Sequence, residues 1–285
     1  MFFEKIEQGE IENCPFIRFG EGKEKIVVFP LINDALFNVR EVGWYFRNLF
    51  SSLARDYSIY VIGRRRQLPV GYSTIEMARD YARVFESTEF GQVHLIGISL
   101  GGMIAQNFAH EHPQYVKRLI IISSAHHMGP EGLNIARRWI PWTREGLWKE
   151  IYEETVKISF HRGHEFFLKL AQPFLIRFLK TKIEDQAAVD FIVSGQAGVI
   201  HDSSDLLDEL TMPTLVMGGT EDPFFPEPLF HEMARKIKNC ELVTIQGARH
   251  LILEEHRRQC MQSIACFLGG STKHNSVSYV VKPQN

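Results

Sequence analysis

Short apolar runs alternate along the chain with segments whose apolar residues recur at helical spacing. Lys25–Leu31 is β-branched and apolar, a buried strand. Val42, Phe46, Leu49, Phe50 and Leu53 then form a helical stripe, predicting a helix over Val39–Ala54. Tyr57–Ile62 reads as a strand, and Ser73-Thr74-Ile75-Glu76 as a capping box opening a helix to about Phe85. Strands ending at Ile98 and Ser123 flank a helix that stops near His112-Pro113. Upstream, Phe2–Ile6 and Pro15–Phe19 read as short strands separated by the acidic stretch Glu7–Asn13. The alternation breaks between His126 and His201, where helical segments carry many aromatics, among them Trp139, Trp142, Trp148, Phe166 and Phe174. It resumes with strand Thr214–Gly218, helix Pro226–Ile237, strand Glu241–Ile245 and helix Leu253–Leu268. Strands alternating with helices predict an α/β fold with a parallel sheet covered on both faces. The expected organisation is a core of residues 1–125 and 206–270, a helical cap over 126–205, and a polar tail over 271–285.

The chemistry centres on Val93–Met103. An apolar strand runs into Gly97-Ile98-Ser99-Leu100-Gly101-Gly102, and a good helix former follows. Strand, tight turn and helix are the context of a G-x-S-x-G nucleophile elbow. The small flanking residues let strand and helix close on a strained serine. The turn would lift Ser99 Oγ out of the strand end and aim the Leu100 N–H at developing negative charge.

Such a serine needs a base and an acid. Asp222 follows strand Thr214–Gly218 in the run Glu221-Asp222-Pro223, at the sheet edge where Ser99 is expected, with Glu221 as the neighbouring alternative. His250, in Gly247-Ala248-Arg249-His250, follows the last strand at that same edge. There it could act as general base toward Ser99, with Asp222 orienting its ring. The chain order Ser, Asp, His is that of the triad built on a nucleophile elbow.

On these residues the sequence resembles the α/β-hydrolase superfamily, in its single-domain branch of helical-cap esterases, lactonases, C–C bond hydrolases and cofactor-free haloperoxidases. The resemblance runs from about Lys25 to Leu268. It rests on Gly97–Gly102, Pro213–Asp222, Gly247–His250 and the intervening cap. It implies a mostly parallel eight-stranded sheet and a serine hydrolase acting on a carboxylic ester, lactone or thioester. A C–C hydrolase on the same triad, or a non-catalytic binding member of the fold, are the alternatives. The oxyanion donors it implies are the Leu100 and Ile32 N–H groups. Two departures stand out. A His-Gly pair usual after the third strand is replaced by Phe29-Pro30-Leu31-Ile32-Asn33-Asp34, and an Asp-x-Arg-Gly-type turn by Gly63-Arg64-Arg65-Arg66-Gln67.

Composition narrows the picture. The chain has 285 residues and a net charge of −2, which argues against a nucleic-acid footprint. Cys14, Cys240, Cys260 and Cys266 are scattered, as expected of free thiols in a reducing compartment. With no evident signal peptide or membrane span, a cytoplasmic location is expected, without stable membrane insertion. Monomer or homodimer are the expected states, with no cofactor and no metal. The substrate is expected to be a small molecule with an apolar part beneath the cap, with Leu31, His127, Trp139 and Trp142 as candidate lining residues. Arg64–Arg66 reads as a solvated loop or an anion clamp. His161-Arg162-Gly163-His164 has ligand-like residue types but lacks further partners.

Overall fold

The computed structural model describes residues 6–159 and 183–269. An eight-stranded sheet runs in the order β1-β2-β4-β3-β5-β6-β7-β8. Its strands are β1 (Glu7–Ile11), β2 (Cys14–Phe19), β3 (Glu24–Phe29), β4 (Tyr57–Ile62), β5 (Val93–Ile98), β6 (Val116–Ile122), β7 (Thr214–Gly219) and β8 (Cys240–Ile245). β1 and β2 pair antiparallel, β2 pairs antiparallel to β4, and the remaining pairs are parallel.

Alternate residues of the central strands face opposite cores. Val27, Phe29 and Leu95 pack on one side, and Ile26, Val28 and Ile96 on the other, all fully buried. The first face is covered by α2 (Thr74–Glu86), α3 (Leu100–Glu111) and α7 (Glu227–Lys236), and the second by α1 (Gly43–Leu49) and α9 (Arg257–Phe267). Among the described residues, α4 (Pro130–Arg144), α5 (Trp148–Ser159) and α6 (Asp185–Ile200) lie between β6 and β7. The sequence motif His161–His164, the aromatics Phe166 and Phe174, and the tail from 271 lie outside the described residues.

Three local expectations need correction. The first strand is Glu7–Ile11, the stretch read as an acidic spacer; residues 2–5 are not among those described. It forms a hairpin with β2 through Glu12 and Asn13, both at positive φ (50° and 62°), the signature of a two-residue primed turn. At the sheet edge its outward residues stay polar, so apolar alternation is missing. The helix expected from Val39 begins only at Gly43. Asn38 Oδ1 accepts from the Arg40 N–H at 3.0 Å, and Glu41 Oε2 accepts from the Asn38 N–H at 3.1 Å, which bends the preceding residues into a turn. The last expected helix is broken at His256 into α8 (Ile252–Glu255) and α9.

β3 lies between β4 and β5, so the chain winds outward in both directions from it. The ends of β3 and β5 therefore flank a topological switch point, the place where α/β sheets bind ligands.

Candidate active site

Ser99 follows β5 at φ 52°, ψ −119°, in the left-handed half of backbone space that non-glycine residues rarely occupy. The turn is possible because its neighbours are small. A Cβ on Gly97 would lie 2.6 Å from the Gly101 carbonyl oxygen, and one on Gly101 would collide with the Phe29 carbonyl. The Ser99 N–H is held by the Ile122 carbonyl of β6 at 2.9 Å.

Ser99 Oγ stands 3.0 Å from His250 Nε2, and His250 Nδ1 stands 2.8 Å from Asp222 Oδ2. Asp222 and His250 are both buried. The other Asp222 oxygen accepts from the Phe224 and Phe225 N–H groups at 2.8 and 3.1 Å, which fixes the carboxylate plane. Glu221 is exposed, so Asp222 is the acid that meets the ring. On the far side of the histidine, Ser123 Oγ donates to the His250 carbonyl at 2.6 Å, and Ser123 itself sits at φ 47°.

Leu100 is the first residue of α3, and Ile32 the first of a 3-10 turn over Ile32–Ala35. N–H groups at a helix start have no acceptor within their own helix. Both residues border the same chamber as Ser99 and His250. The loop before Ile32 has no glycine; Arg64 braces it instead. The buried guanidinium donates to the Ile32 carbonyl through Nη2 at 3.0 Å and to the Leu31 carbonyl at 3.4 Å, and the Arg64 N–H donates to Asp34 Oδ2 at 2.7 Å. Arg66 Nη1 donates to the Ala35 carbonyl at 2.7 Å. Arg64 is thus neither solvated nor an anion clamp: with Arg66 it occupies the carbonyls of one short turn. Arg65 faces Asp80 at 3.9 Å.

The chamber above Ser99 has a volume of about 60 Å³. Of the four candidate lining residues, Leu31 and Trp139 border it, and His127 and Trp142 do not. Ala136, Trp139 and Ile140 lie at helical spacing on α4 and face inward, and Trp142 falls about 120° from that stripe. His127 is turned to the Met128 carbonyl at 2.9 Å and stacks edge-on against His126. The Trp139 ring packs on Phe191 of α6 and edge-on against Phe224, whose ring lies 4.8 Å from that of His250. Trp139 Nε1 donates to Glu154 of α5 at 2.8 Å. The insertion therefore reaches the histidine through Trp139 and Phe224.

Sequence reasoning missed Ser123, Phe224 and the role of Arg64. A serine after a strand and an arginine in a loop carry no distinguishing signal; only Phe224, two residues past an aspartate in a turn, had one. Among the described residues, no group of three or more His, Cys, Asp or Glu could hold a metal ion, and no helix is long and apolar enough to cross a membrane.

Comparison with known proteins agrees with this architecture. A poly(3-hydroxyalkanoate) depolymerase of Ectopseudomonas oleovorans is 26% identical over 62% of this chain, which spans 61% of that protein's length. A 2-hydroxy-6-oxononadienedioate/2-hydroxy-6-oxononatrienedioate hydrolase of Paraburkholderia xenovorans is 24% identical, covering 93% of this chain and 94% of its own. A carboxylesterase of Bacillus subtilis is 24% identical over 85% of this chain and 80% of its own. Among solved structures, an alpha/beta hydrolase enzyme from a Medee basin deep-sea metagenome library superposes with a TM-score of 0.79 at 18% identity, over 95% of this chain and 100% of its own, a likeness of fold. The alpha/beta hydrolase fold family matches residues 36–257, and the chain belongs to that family of enzymes.

Proposed function

We propose that the protein is a serine hydrolase that cleaves a carboxylic ester, lactone or thioester. The observation that carries this reading is the hydrogen-bonded line Ser99 Oγ, His250, Asp222, with the serine in a strained turn. Ser99 Oγ attacks the carbonyl carbon while His250 Nε2 takes its proton. Asp222 holds the ring in the tautomer that leaves Nε2 free and stabilises the charged ring that forms. The Leu100 and Ile32 N–H groups receive the oxyanion. His250 returns the proton to the leaving group, and water then releases the acyl group by the same path. Helices α4, α5 and α6 act as a cap, their apolar side chains shielding the reaction from water.

A second reading, cleavage of a C–C bond in a β-diketone-like substrate, is favoured by the similarity to the dienedioate hydrolase. Against it, no Lys or Arg is among the described residues that line the chamber, so a dianionic substrate finds no cation there. Purified protein assayed on simple esters and on dienol ketones separates the two. Ester turnover that vanishes in Ser99→Ala is expected; activity confined to dienol ketones would replace the ester reading with the second.

A further inference from the structure

A second cavity of about 350 Å³ lies on the other side of the Leu31–Asn33 loop. Leu31, Asn33 and Leu251 belong to both cavities, so the loop is a partition between them. Beside it, a hole of about 10 Å³ is bordered by Ser99, His250, Leu31, Leu251 and Glu254, and the last three also line the second cavity. The larger space is walled by Phe37, Val39, Val42, Trp44 and Phe46, with a Tyr45 hydroxyl bonded to Glu254. Trp44 is 65% exposed and stands at the surface end.

A substrate centred on Ser99 has two arms, and the reaction treats them differently. In acylation the Ser99 Oγ–carbon bond forms, the carbon–oxygen bond to the alcohol breaks, and the serine proton passes through His250 to the departing oxygen. The alcohol must then leave while the acyl group is still covalently held. The arm that departs first belongs in the cavity that reaches the surface, and the arm that waits belongs in the small chamber under the helices.

We propose that the second cavity binds the leaving-group arm of the substrate, and that this arm is an uncharged, apolar alcohol bearing a ring or branched chain, esterified to a short acyl group. The proposal rests on the reading of Ser99 as nucleophile. Size and charge support it. An apolar cavity of about 150 Å³ accommodates one benzene ring, so the second cavity has room for a ring and the chamber does not. Among the described residues, the only charged side chains lining the second cavity are the acids Asp34 and Glu254. A carboxylate-bearing arm would find no cation among them. Burial pushes the Glu254 carboxyl above its ordinary value, toward its neutral form. The Asn33 amide can hydrogen-bond an ether or hydroxyl on the bound alcohol.

Two measurements test this, one of which needs no turnover. Ser99→Ala protein is titrated with benzyl alcohol and followed by tryptophan fluorescence. The expected result is a saturable change that disappears when Trp44→Phe is added, and an affinity lowered about tenfold or more by Val42→Trp, which fills the cavity. A change that survives Trp44→Phe would place the alcohol elsewhere and overturn the proposal, as would no saturable change. In catalytically intact protein, the ratio of kcat/KM for benzyl acetate over ethyl acetate should fall about tenfold in Val42→Trp, with the ethyl butyrate to ethyl acetate ratio changed less than about twofold. An unchanged benzyl preference, or a shift in acyl preference instead, would overturn it. Trp44→Ala, at a site that is 65% exposed, gives the same test with little burial lost, with the same loss of benzyl preference expected. If the wild-type protein hydrolyses no ester, the serine-hydrolase reading fails. The titration then decides the cavity alone: saturable binding at Trp44 sustains an alcohol site, and its absence overturns it.

Discussion

Ser99 and Ser123 end adjacent strands at φ 52° and 47°, and each sends its hydroxyl to one face of the same histidine residue. Two strained serines are held where the strands' own pairing supports them: the Ser99 N–H on Ile122 and the Ser123 N–H on Met217. His250 is in this way fixed at its ring by Asp222 and at its carbonyl by Ser123. Asp222→Asn keeps the shape but frees the tautomer, so ester turnover should fall about 10³- to 10⁴-fold with little loss of stability, read from kcat and a thermal melt. Arg64→Gln tests the brace behind Ile32. With the guanidinium gone the Ile32 N–H loses its aim, and kcat should drop by about 10- to 100-fold, short of the full effect of losing an oxyanion donor, at similar KM. A rise in KM with unchanged kcat would assign Arg64 to substrate binding instead. The placement of Ser99, Asp222 and His250 at one sheet edge was legible because each follows a strand that its apolar run makes visible. Arg64 was not, because a loop arginine is usually solvated, and only its bonds to the Leu31 and Ile32 carbonyls show why this one is inside.

At the level of elements, α6 is tied to the core at two places, in its first half and just past its C-terminus. Asp190 accepts from the Gln67 and Leu68 N–H groups at 3.1 and 2.9 Å, joining the helix to the loop after β4. Just past the other end, His201 Nδ1 shares a 2.8 Å hydrogen bond with Thr74 of α2, whose hydroxyl also accepts from Asn107 of α3. α6 supplies Phe191, Ser194 and Gly195 to the chamber wall, so its anchorage sets the chamber's shape. Asp190→Ala leaves two backbone donors without their carboxylate and should cost about 2–3 kcal/mol in chemical denaturation, with faster hydrogen exchange at Gln67 and Leu68. Neither anchor could be read from the sequence, since each joins residues more than a hundred positions apart. The β1 hairpin was missed for the opposite reason. Its signal, Glu12-Asn13, is local, but an edge strand with polar outward positions lacks the apolar alternation that marks a strand.

Over the whole molecule, the parallel strands and their order along the chain were readable, because buried strands and amphipathic helices differ in period. The chamber and the second cavity were not, since they depend on how a loop without glycine is held between two arginines and a short helix. The buried histidines give the fold a direction of pH dependence. Burial lowers His201 to about 3, and it lowers His94 and His126 as well. For His201 the unfolded chain takes up the proton near pH 6.5 and the folded chain only near 3. Stability is therefore lost as pH falls through that window, by at most about 1.4 kcal/mol per pH unit for one histidine. Between pH 7.5 and 5, His201→Asn should lose up to about 2 kcal/mol less than the wild type does, measured by urea unfolding at both values. An equal loss in the two proteins would remove His201 from the account of acid sensitivity.

The most direct test of the central claim is labelling of the intact, folded protein with a fluorophosphonate probe, read by mass spectrometry beside Ser99→Ala. A single adduct mapped to Ser99, absent from the variant, is the expected result, because only a serine deprotonated by its neighbour attacks such a probe at a useful rate. Folded protein that takes no adduct, or takes it at another residue, would contradict the assignment of Ser99 as nucleophile and leave the fold with a binding role.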